Sequence, residues 1–401
     1  MTAAMPDAAG ILAELRRWIE ANWDPGLSLV RWRELLADAG WACPAWPHGW
    51  CGRSLPAGLA ALVAAERVDA GVPGPAEGVG VGLAGPTLIE HGTDALRERF
   101  VRRTVTGEIT WCQLFSEPGA GSDLAGLTTR AEAVADGWLV TGQKVWSTGA
   151  ATADFGLLLA RTDASVPKHR GITCFVLPMR QAGVEVRPLR QMNGHASFNE
   201  VFLDGARVPA GHMIGQPGGG WPIARATLAR ERRLAASAFR VDPARHTGRA
   251  WQEAIAERTA AAEPHKWYPQ RAGRPDLVVA RAQAEGKAAD PVVRQEIAKL
   301  IELAWSARWT AARAAAARAA GQPLGPEGSL GKLASTRIAR QAARVHAMIG
   351  GAHAMLTGPD SPLGGVVAEI LVSVPAISIA GGTDEIQRTI IAERILGLPR
   401  E

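Results

Sequence analysis

The feature that most constrains the fold is a change of grain that happens twice along the chain. Up to about residue 110, apolar residues recur at helical spacing, as in Ile11, Leu12, Leu15 and Ile19, and again in Leu29, Trp32, Leu35 and Leu36. This spacing predicts helices over Ala9–Asn22, Leu27–Ala39, Pro56–Val68, Pro86–His91 and Asp94–Thr106, the last two closed by Gly92 and Gly107. Trp46–Gly52, with its Pro and Gly residues, reads as a loop. From Ile109 to about Gly218 short apolar runs alternate with turn residues: Thr110–Phe115, Thr128–Val134, Trp138–Thr141, Phe155–Arg161, Ile172–Pro178, Val184–Pro188 and Glu200–Val208. That spacing predicts an all-β sandwich or barrel. After Gly218-Gly219-Gly220 helical spacing returns, in a helix from Trp221 to about Val241. A second begins at Asp290-Pro291, with an apolar stripe of Val293, Ile297, Leu300, Ala304 and Ala311 up to Gly321. A third covers Leu330–Ile349, and a last one is capped by Thr383 and stopped by Gly397 and Pro399.

The expected class is therefore α+β, in three parts: a helical region over 1–110, a β-domain over 111–218, and a helical bundle over 219–401 with a long Pro-, Arg- and Gly-rich segment at about 241–286. At 401 residues the chain exceeds one ordinary core. Hydrophobic content of 47% and charged content of 21% are those of a globular protein. No apolar run reaches the ~18 residues that span a bilayer, and the first residues lack a basic-then-apolar leader. Cys43, Cys51, Cys112 and Cys174 are scattered, with no CxxC pair. No metal site or disulfide framework is expected, and a reducing cytoplasm is. The net charge of +5 is spread over Arg-rich helices. It reads as solvated helix faces rather than a nucleic-acid surface, with a bias that would also attract a polyanionic ligand.

Chemistry concentrates in Cys112–Thr148. Ser116-Glu117-Pro118-Gly119-Ala120-Gly121-Ser122-Asp123 is a polar, glycine-rich turn directly after an apolar run. Gly119 and Gly121 would let backbone N–H groups approach a ligand. Trp138 to Trp146 reads as a strand, a Thr141-Gly142 turn and a second strand, which would set Trp146 and Thr148 on one face. An aromatic plane beside a hydroxyl suits a flat heteroaromatic cofactor. Trp146 alone is equally read as core packing.

This stretch resembles the signature of the acyl-CoA dehydrogenase family, Ser-Glu-Pro-Gly-Ala-Gly-Ser-Asp followed by Gly-Gln-Lys-x-Trp-x-Thr. A second family signature stands at Gly382-Thr383-Asp384-Glu385-Ile386-Gln387-Arg388. The resemblance spans nearly the whole chain and is weakest between about Arg240 and Asp290. It implies FAD and an acyl-CoA substrate, with loss of the α proton to a carboxylate and of the β hydrogen as hydride. It places Gln113, Leu114, Phe115, Ser116, Ser122, Trp146 and Thr148 around the flavin, with Thr148 toward its N5 and Ser122 toward coenzyme A. Thr383, Asp384 and Glu385 would meet the ribityl and diphosphate arm, and Gly382 the substrate.

The chain departs from the family pattern in two places. Most members carry Glu immediately before Gly-Thr in the second signature, at the position next to Gly382; the local sequence here is Gly381-Gly382-Thr383 and the usual base is absent. Some relatives place the base on the first helix after the β-domain, just before an Arg. Arg230-Glu231-Arg232 stands there, which makes Glu231 the candidate base and Arg232 a candidate coenzyme A contact, with a purely structural ion pair at Glu231 as the alternative. Gly381 would leave room for that carboxylate and offer its N–H to the thioester carbonyl. The second departure concerns segments that homotetrameric relatives lend to a neighbour's FAD. Here they read Ala284-Glu-Gly-Lys287-Ala and Ala347-Met-Ile-Gly350-Gly351, without the family's Arg and Gln. This implies a tetramer, in particular an α2β2 heterotetramer of the kind bacteria use on bulky steroid side chains, with an electron-transfer flavoprotein as acceptor. Arg271, Arg274 and Arg281 are the candidates for substitute contacts in a homo-oligomer. A non-catalytic partner subunit, and an acyl-CoA oxidase or flavin monooxygenase, are the competing readings.

Overall fold

The computed structural model describes residues 7–234, 246–319, 325 and 327–399, with side chains 232–234 and 318–319 excepted. By compactness the chain forms two units, 1–190 with 196–262, and 191–195 with 263–401.

The first unit opens with helices α1 (Ala8–Asn22), α2 (Leu29–Asp38), α3 (Ala57–Asp69), α4 (Gly85–His91) and α5 (Asp94–Thr106). Asp7, Ser28 and Thr93 cap α1, α2 and α5 with their side-chain oxygens, and α5 stops at Gly107, whose φ of +82° favours glycine. One feature absent from the sequence reading is a π-helical turn, Gly80–Ala84, feeding directly into α4. Such turns are rare and occur frequently at functional sites.

Strands β1 (Trp111–Leu114), β2 (Arg130–Val134), β3 (Gly137–Lys144), β4 (Phe155–Arg161), β5 (Ile172–Pro178), β6 (Val184–Leu189), β7 (Phe198–Pro209) and β8 (Met213–Ile214) form one eight-stranded sheet. Its order is β6-β7-β3-β2-β4-β5-β8, with β1 paired in parallel to β4. Alternate residues of β4 and β5 enter different cores. Leu157, Leu159, Cys174 and Val176 join Trp32, Phe100 and other residues of the helices, whereas Leu158, Ala160, Phe175 and Leu177 pack with Val140 and Val201. Burial on both faces explains why these strands read as continuous apolar runs. Thr141-Gly142 is not the expected turn. It is a register shift inside the single strand β3, which pairs with β7 on both sides of the shift. A Cβ at Gly142 would lie 2.4 Å from the Thr129 hydroxyl, so the glycine answers to the adjacent segment at Thr129 rather than to a turn.

After the sheet, α6 (Gly220–Leu234) packs Ile223 and Ala224 into the helical core, and the Thr227 hydroxyl lies 3.1 Å from that of Thr87 on α4. The predicted end of α6 near Val241 lies outside the described residues. Within the Pro-, Arg- and Gly-rich segment, α7 (Arg249–Ala262) docks on α2 through Glu253, which accepts from the Leu29 N–H at 2.7 Å, and through Arg33–Glu257 at 2.7 Å.

The second unit contains α8 (Tyr268–Arg271), α9 (Pro275–Ala284), α10 (Pro291–Ala319), α11 (Glu327–Gly350), α12 (Val366–Ser373) and α13 (Asp384–Arg394). Val278, Ala282, Val293, Leu300, Ala342, Val345 and Ile349 form its main core. The expected stripe on α10 is buried only in part: Ala304 and Ala311 are exposed, as are Trp305 and Trp309. The end expected at Gly321 lies outside the described residues.

Candidate active site

The two halves of the first signature are joined by a buried ion pair that their sequence does not reveal. Lys144 at the end of β3 reaches back across the turn after β1, its Nζ 2.8 Å from Glu117 Oε1 and 3.0 Å from the Phe115 carbonyl oxygen. Glu117 also accepts from the Thr128 N–H at 2.6 Å, the Thr128 hydroxyl at 2.9 Å and the Thr129 N–H at 2.9 Å. Both side chains are buried. Burial alone would raise the Glu117 pKa, but Lys144 and these donors outweigh it and hold the carboxyl at about 2. The signature's Glu and Lys therefore clamp a loop to a strand.

What the clamp presents is open. Gly119, Gly121 and Ser122 are exposed, and a Cβ at either glycine would meet no protein atom within 4 Å, so the chain's own packing does not require glycine there. Leu114 and Phe115 turn their side chains into the two cores, so only their backbone can serve a ligand. Ser116 is half-buried and its carbonyl accepts from the Val145 N–H at 3.0 Å.

Trp146 is not in a strand, which removes the period-two argument that paired it with Thr148. It adopts φ +63°, a left-handed conformation costly for a side chain of this size, and is 56% exposed. The core reading of Trp146 is thereby excluded. Its ring is held edge-on by Phe198 at 5.6 Å, while the buried Ser147 exchanges backbone hydrogen bonds with Asn199 at 3.0 and 3.2 Å. Half-buried Thr148 follows in the next turn. A strained backbone presenting an exposed indole, beside a loop without Cβ atoms, fits a planar heteroaromatic group such as a flavin.

The candidate base lies next to this surface. Gln113, on β1 directly before the signature turn, donates from Nε2 to Glu231 Oε2 on α6 at 3.3 Å. Arg230, the residue before it, forms an ion pair with Glu90 on α4. The Arg232 side chain lies outside the described residues.

The second signature occupies the second unit. Thr383 caps α13 by accepting from the Ile386 N–H. Gly381 and Gly382 have φ +70° and +90°, conformations that favour glycine, and buried Gln387 donates to both of their carbonyls at 3.4 and 3.3 Å. A Cβ at Gly381 would meet nothing within 4 Å. Asp384 is turned inward, accepting from the Thr336 hydroxyl at 3.0 Å with Lys332 at 3.6 Å, and exposed Glu385 pairs with Arg388. Their carboxylates are thus engaged, and an anion here would be met by backbone N–H groups at the start of α13.

The two segments without the family's Arg and Gln come together in the same unit. Glu285, Lys287, Gly350, Gly351, His353 and Asp360 line an open cleft of ≈ 600 Å³. None of the proposed substitute arginines is unengaged: Arg281 is buried against Glu285 and the His346 carbonyl, Arg274 pairs with Asp276, and Arg271 stacks on Tyr268 at 4.0 Å. All four cysteines are buried, with pKa values raised by desolvation, so none is poised as a nucleophile. Among the described residues no cluster of His, Cys, Asp or Glu could hold a metal ion, and no helix is long and apolar enough to cross a membrane.

A helical region, a sheet domain and a helical region carrying these two signatures define an oxidoreductase of acyl thioesters. The chain matches the family models for the acyl-CoA dehydrogenase N-terminal domain over residues 9–108, the middle domain over 112–206 and the C-terminal domain over 277–396. It belongs to the acyl-CoA dehydrogenase family. It is 39% identical to acyl-CoA dehydrogenase FadE34 of Mycobacterium tuberculosis over 91% of this chain, a match that spans 46% of that longer protein. It is 35% identical to acyl-CoA dehydrogenase IpdE1 of the same organism over 92% of this chain and 88% of the relative. Among solved structures, the steroid ACAD Tcur3481-Tcur3483 is similar at 25% identity and a TM-score of 0.67, covering 100% of this chain and 99% of the other.

Proposed function

We propose that this chain is an FAD-dependent dehydrogenase that converts a bulky or branched acyl-CoA to its 2-enoyl-CoA, with Glu231 as the base. The observation that carries this reading is the 3.3 Å contact between Glu231 and Gln113, which sets a carboxylate beside the strand leading into the first signature. Bound FAD would supply the acceptor for the β hydrogen as hydride.

The chain's own groups do the rest. Glu231 takes the α proton, and the Gln113 amide orients its carboxylate by donating to one oxygen. The Glu117–Lys144 clamp fixes Gln113 to Ser122 along the flavin, Trp146 supplies a face for the ring, and Thr148 a hydroxyl. Ser122 is assigned to the coenzyme A side. Arg232 of the first unit is assigned to a substrate contact; in the second unit the Gly381 N–H is assigned to the thioester carbonyl, Gly382 to a substrate contact, and Thr383 with the first turn of α13, including the backbone of Asp384 and Glu385, to the cofactor arm.

The assembly we propose is a heterotetramer with a sister chain, located in the cytoplasm and passing electrons to an electron-transfer flavoprotein. The heteromeric reading is supported by the carboxylates Glu285 and Asp360 in the cleft where homotetrameric relatives offer an Arg and a Gln, and by the engagement of Arg271, Arg274 and Arg281. The similar Tcur3481-Tcur3483 protein carries two component names.

The test is anaerobic. Flavin-loaded protein mixed with a branched or ring-bearing acyl-CoA should lose its visible flavin absorbance and form an equimolar 2-enoyl-CoA. A flavin spectrum that no acyl-CoA bleaches would overturn the reading in favour of a non-catalytic partner.

A further inference from the structure

In the second unit the Gly381–Gly382 turn has a packed side and an open side. A Cβ at Gly382 would lie 2.7 Å from Gln387 Nε2, whereas one at Gly381 would meet nothing within 4 Å, and Gly381 is exposed. Two consecutive glycines rotate more freely than any other pair, so an unbraced turn here would present its N–H groups in many directions. The backbone before it is anchored, since the Ile379 and Ala380 N–H groups donate to the Ala376 carbonyl at 3.2 and 3.0 Å. Among the described residues neither the Gly381 nor the Gly382 N–H meets an acceptor.

Two side chains from different helices remove that freedom. Gln387, in the first turn of α13 and 1% exposed, donates from Nε2 to the Gly381 carbonyl at 3.4 Å and the Gly382 carbonyl at 3.3 Å. Its Oε1 is buried with no hydrogen-bond partner among the described residues. A buried amide oxygen without a partner lowers stability, and an apolar side chain of the same length would fill the place without that penalty. An apolar side chain could not donate to the two carbonyls. Lys332 on α11 holds the ends of the segment. Its Nζ donates to the Ile377 carbonyl and lies 3.6 Å from Asp384 Oδ1, so it bridges the two sides of residues 378–383. Thr336, one turn along α11, donates from its hydroxyl to the same Asp384 oxygen at 3.0 Å.

We infer that Gln387 and Lys332 are positioning residues, which together fix the Gly381–Gly382 turn so that the Gly381 N–H keeps one direction. The inference rests on the dehydrogenase reading above, in which that N–H meets the thioester carbonyl. When Glu231 takes the α proton, the C–H electron pair moves onto the thioester oxygen and an enolate forms. A donor stabilises charge developing on that oxygen only to the extent that it is already aimed there. A turn of two unbraced glycines would have to be ordered in the same step, at an entropic cost that the two braces remove in advance. Gln387 and Lys332 act through the turn and need not touch the substrate.

The experiment uses (cyclohexylthio)acetyl-CoA, whose α proton is acidic and whose β position is a sulfur that gives up no hydride. Its enolate on the flavin-loaded assembly is read by long-wavelength absorbance across pH, at equal bound FAD. The flavin-free chain is read by hydrogen exchange of the amides at 379–383. Gln387→Met and Lys332→Met should each lower the enolate-to-thioester ratio about tenfold, which moves the pH midpoint of the absorbance up by about one unit. Each should also speed exchange of those amides by about tenfold. The two variants lie on different helices, so failure of one to fold leaves the other to decide. A midpoint that stays at the parental value in either variant, whatever happens to its unfolding midpoint, would make the brace merely structural and overturn the inference while leaving the dehydrogenase reading intact. A parent that shows no such absorbance at any pH would overturn both.

Discussion

Replacing Glu117 by Ala tests whether the first signature is a clamp, and the structure sets an order of effects. Glu117 accepts four hydrogen bonds, from Lys144 Nζ at 2.8 Å, the Thr128 N–H at 2.6 Å, the Thr128 hydroxyl at 2.9 Å and the Thr129 N–H at 2.9 Å. Its loss leaves Lys144 buried and bonded to the Phe115 carbonyl at 3.0 Å with its carboxylate partner gone, and breaking a buried pair in this way costs about 3–5 kcal/mol. Lys144→Met removes one of the four bonds and leaves Glu117 its three other donors, so its cost should be smaller, about 1–3 kcal/mol. The double variant should fall short of the sum of the two by about 0.5–3 kcal/mol, since each single change already forfeits the shared bond. Native-state hydrogen exchange of the peptides covering residues 116–148 reads this locally, and each 1.4 kcal/mol appears as about tenfold faster exchange. The pH dependence has a definite sign. The Glu117 pKa is lowered from its ordinary 4.5 to about 2, so its stabilising contribution is full above the ordinary value and is lost as pH falls toward about 2. Lys144→Met removes the cation that lowers it and should move that loss to higher pH. Additive single effects, or a Lys144→Met cost equal to that of Glu117→Ala, would refute the clamp.

Three further outcomes follow from the geometry. Trp146→Gly should change the stability of the flavin-free chain by no more than about 1–2 kcal/mol, because relief of the φ +63° strain offsets the lost Phe198 contact, yet it should weaken FAD retention; denaturant midpoints and bound-flavin absorbance check the two halves separately. Thr148→Val keeps shape and removes a hydroxyl, and should slow single-turnover flavin reduction by an amount equivalent to about 1.5–3 kcal/mol, whereas an unchanged rate would remove Thr148 from the site. The chain produced alone should be flavin-poor, and a sister chain should restore one FAD per pair; full, tightly held FAD in a homo-oligomer would contradict the heteromeric assembly.

The three-part order and the signatures were legible because they rest on local signals. Helical spacing with capping residues placed α1 and α5 to within a residue, and uninterrupted apolar runs placed β4 and β5 at their observed bounds. What was not legible depends on partners distant in sequence. Thr141-Gly142 has turn chemistry, yet β7, some sixty residues later, keeps β3 as one strand across it. Trp146 and Thr148 looked like strand neighbours because their spacing is two, and a positive φ at Trp146 undoes that rule. Glu117 and Lys144 were both inside quoted motifs, but only the fold shows them touching. Ala304 and Ala311 fit an apolar stripe whose packing stops at Leu300 in the main core of the second unit, because periodicity records a face without recording what covers it.

The central claim is that Glu231 removes the α proton. The most direct measurement is stopped-flow flavin reduction under anaerobic conditions, comparing the parent with Glu231→Gln at equal bound FAD. Glutamine keeps the volume and the contact to Gln113 while abolishing basicity, so the account predicts a rate lower by at least ~10²-fold with flavin content unchanged. Reduction of the Glu231→Gln protein at the parental rate would contradict it.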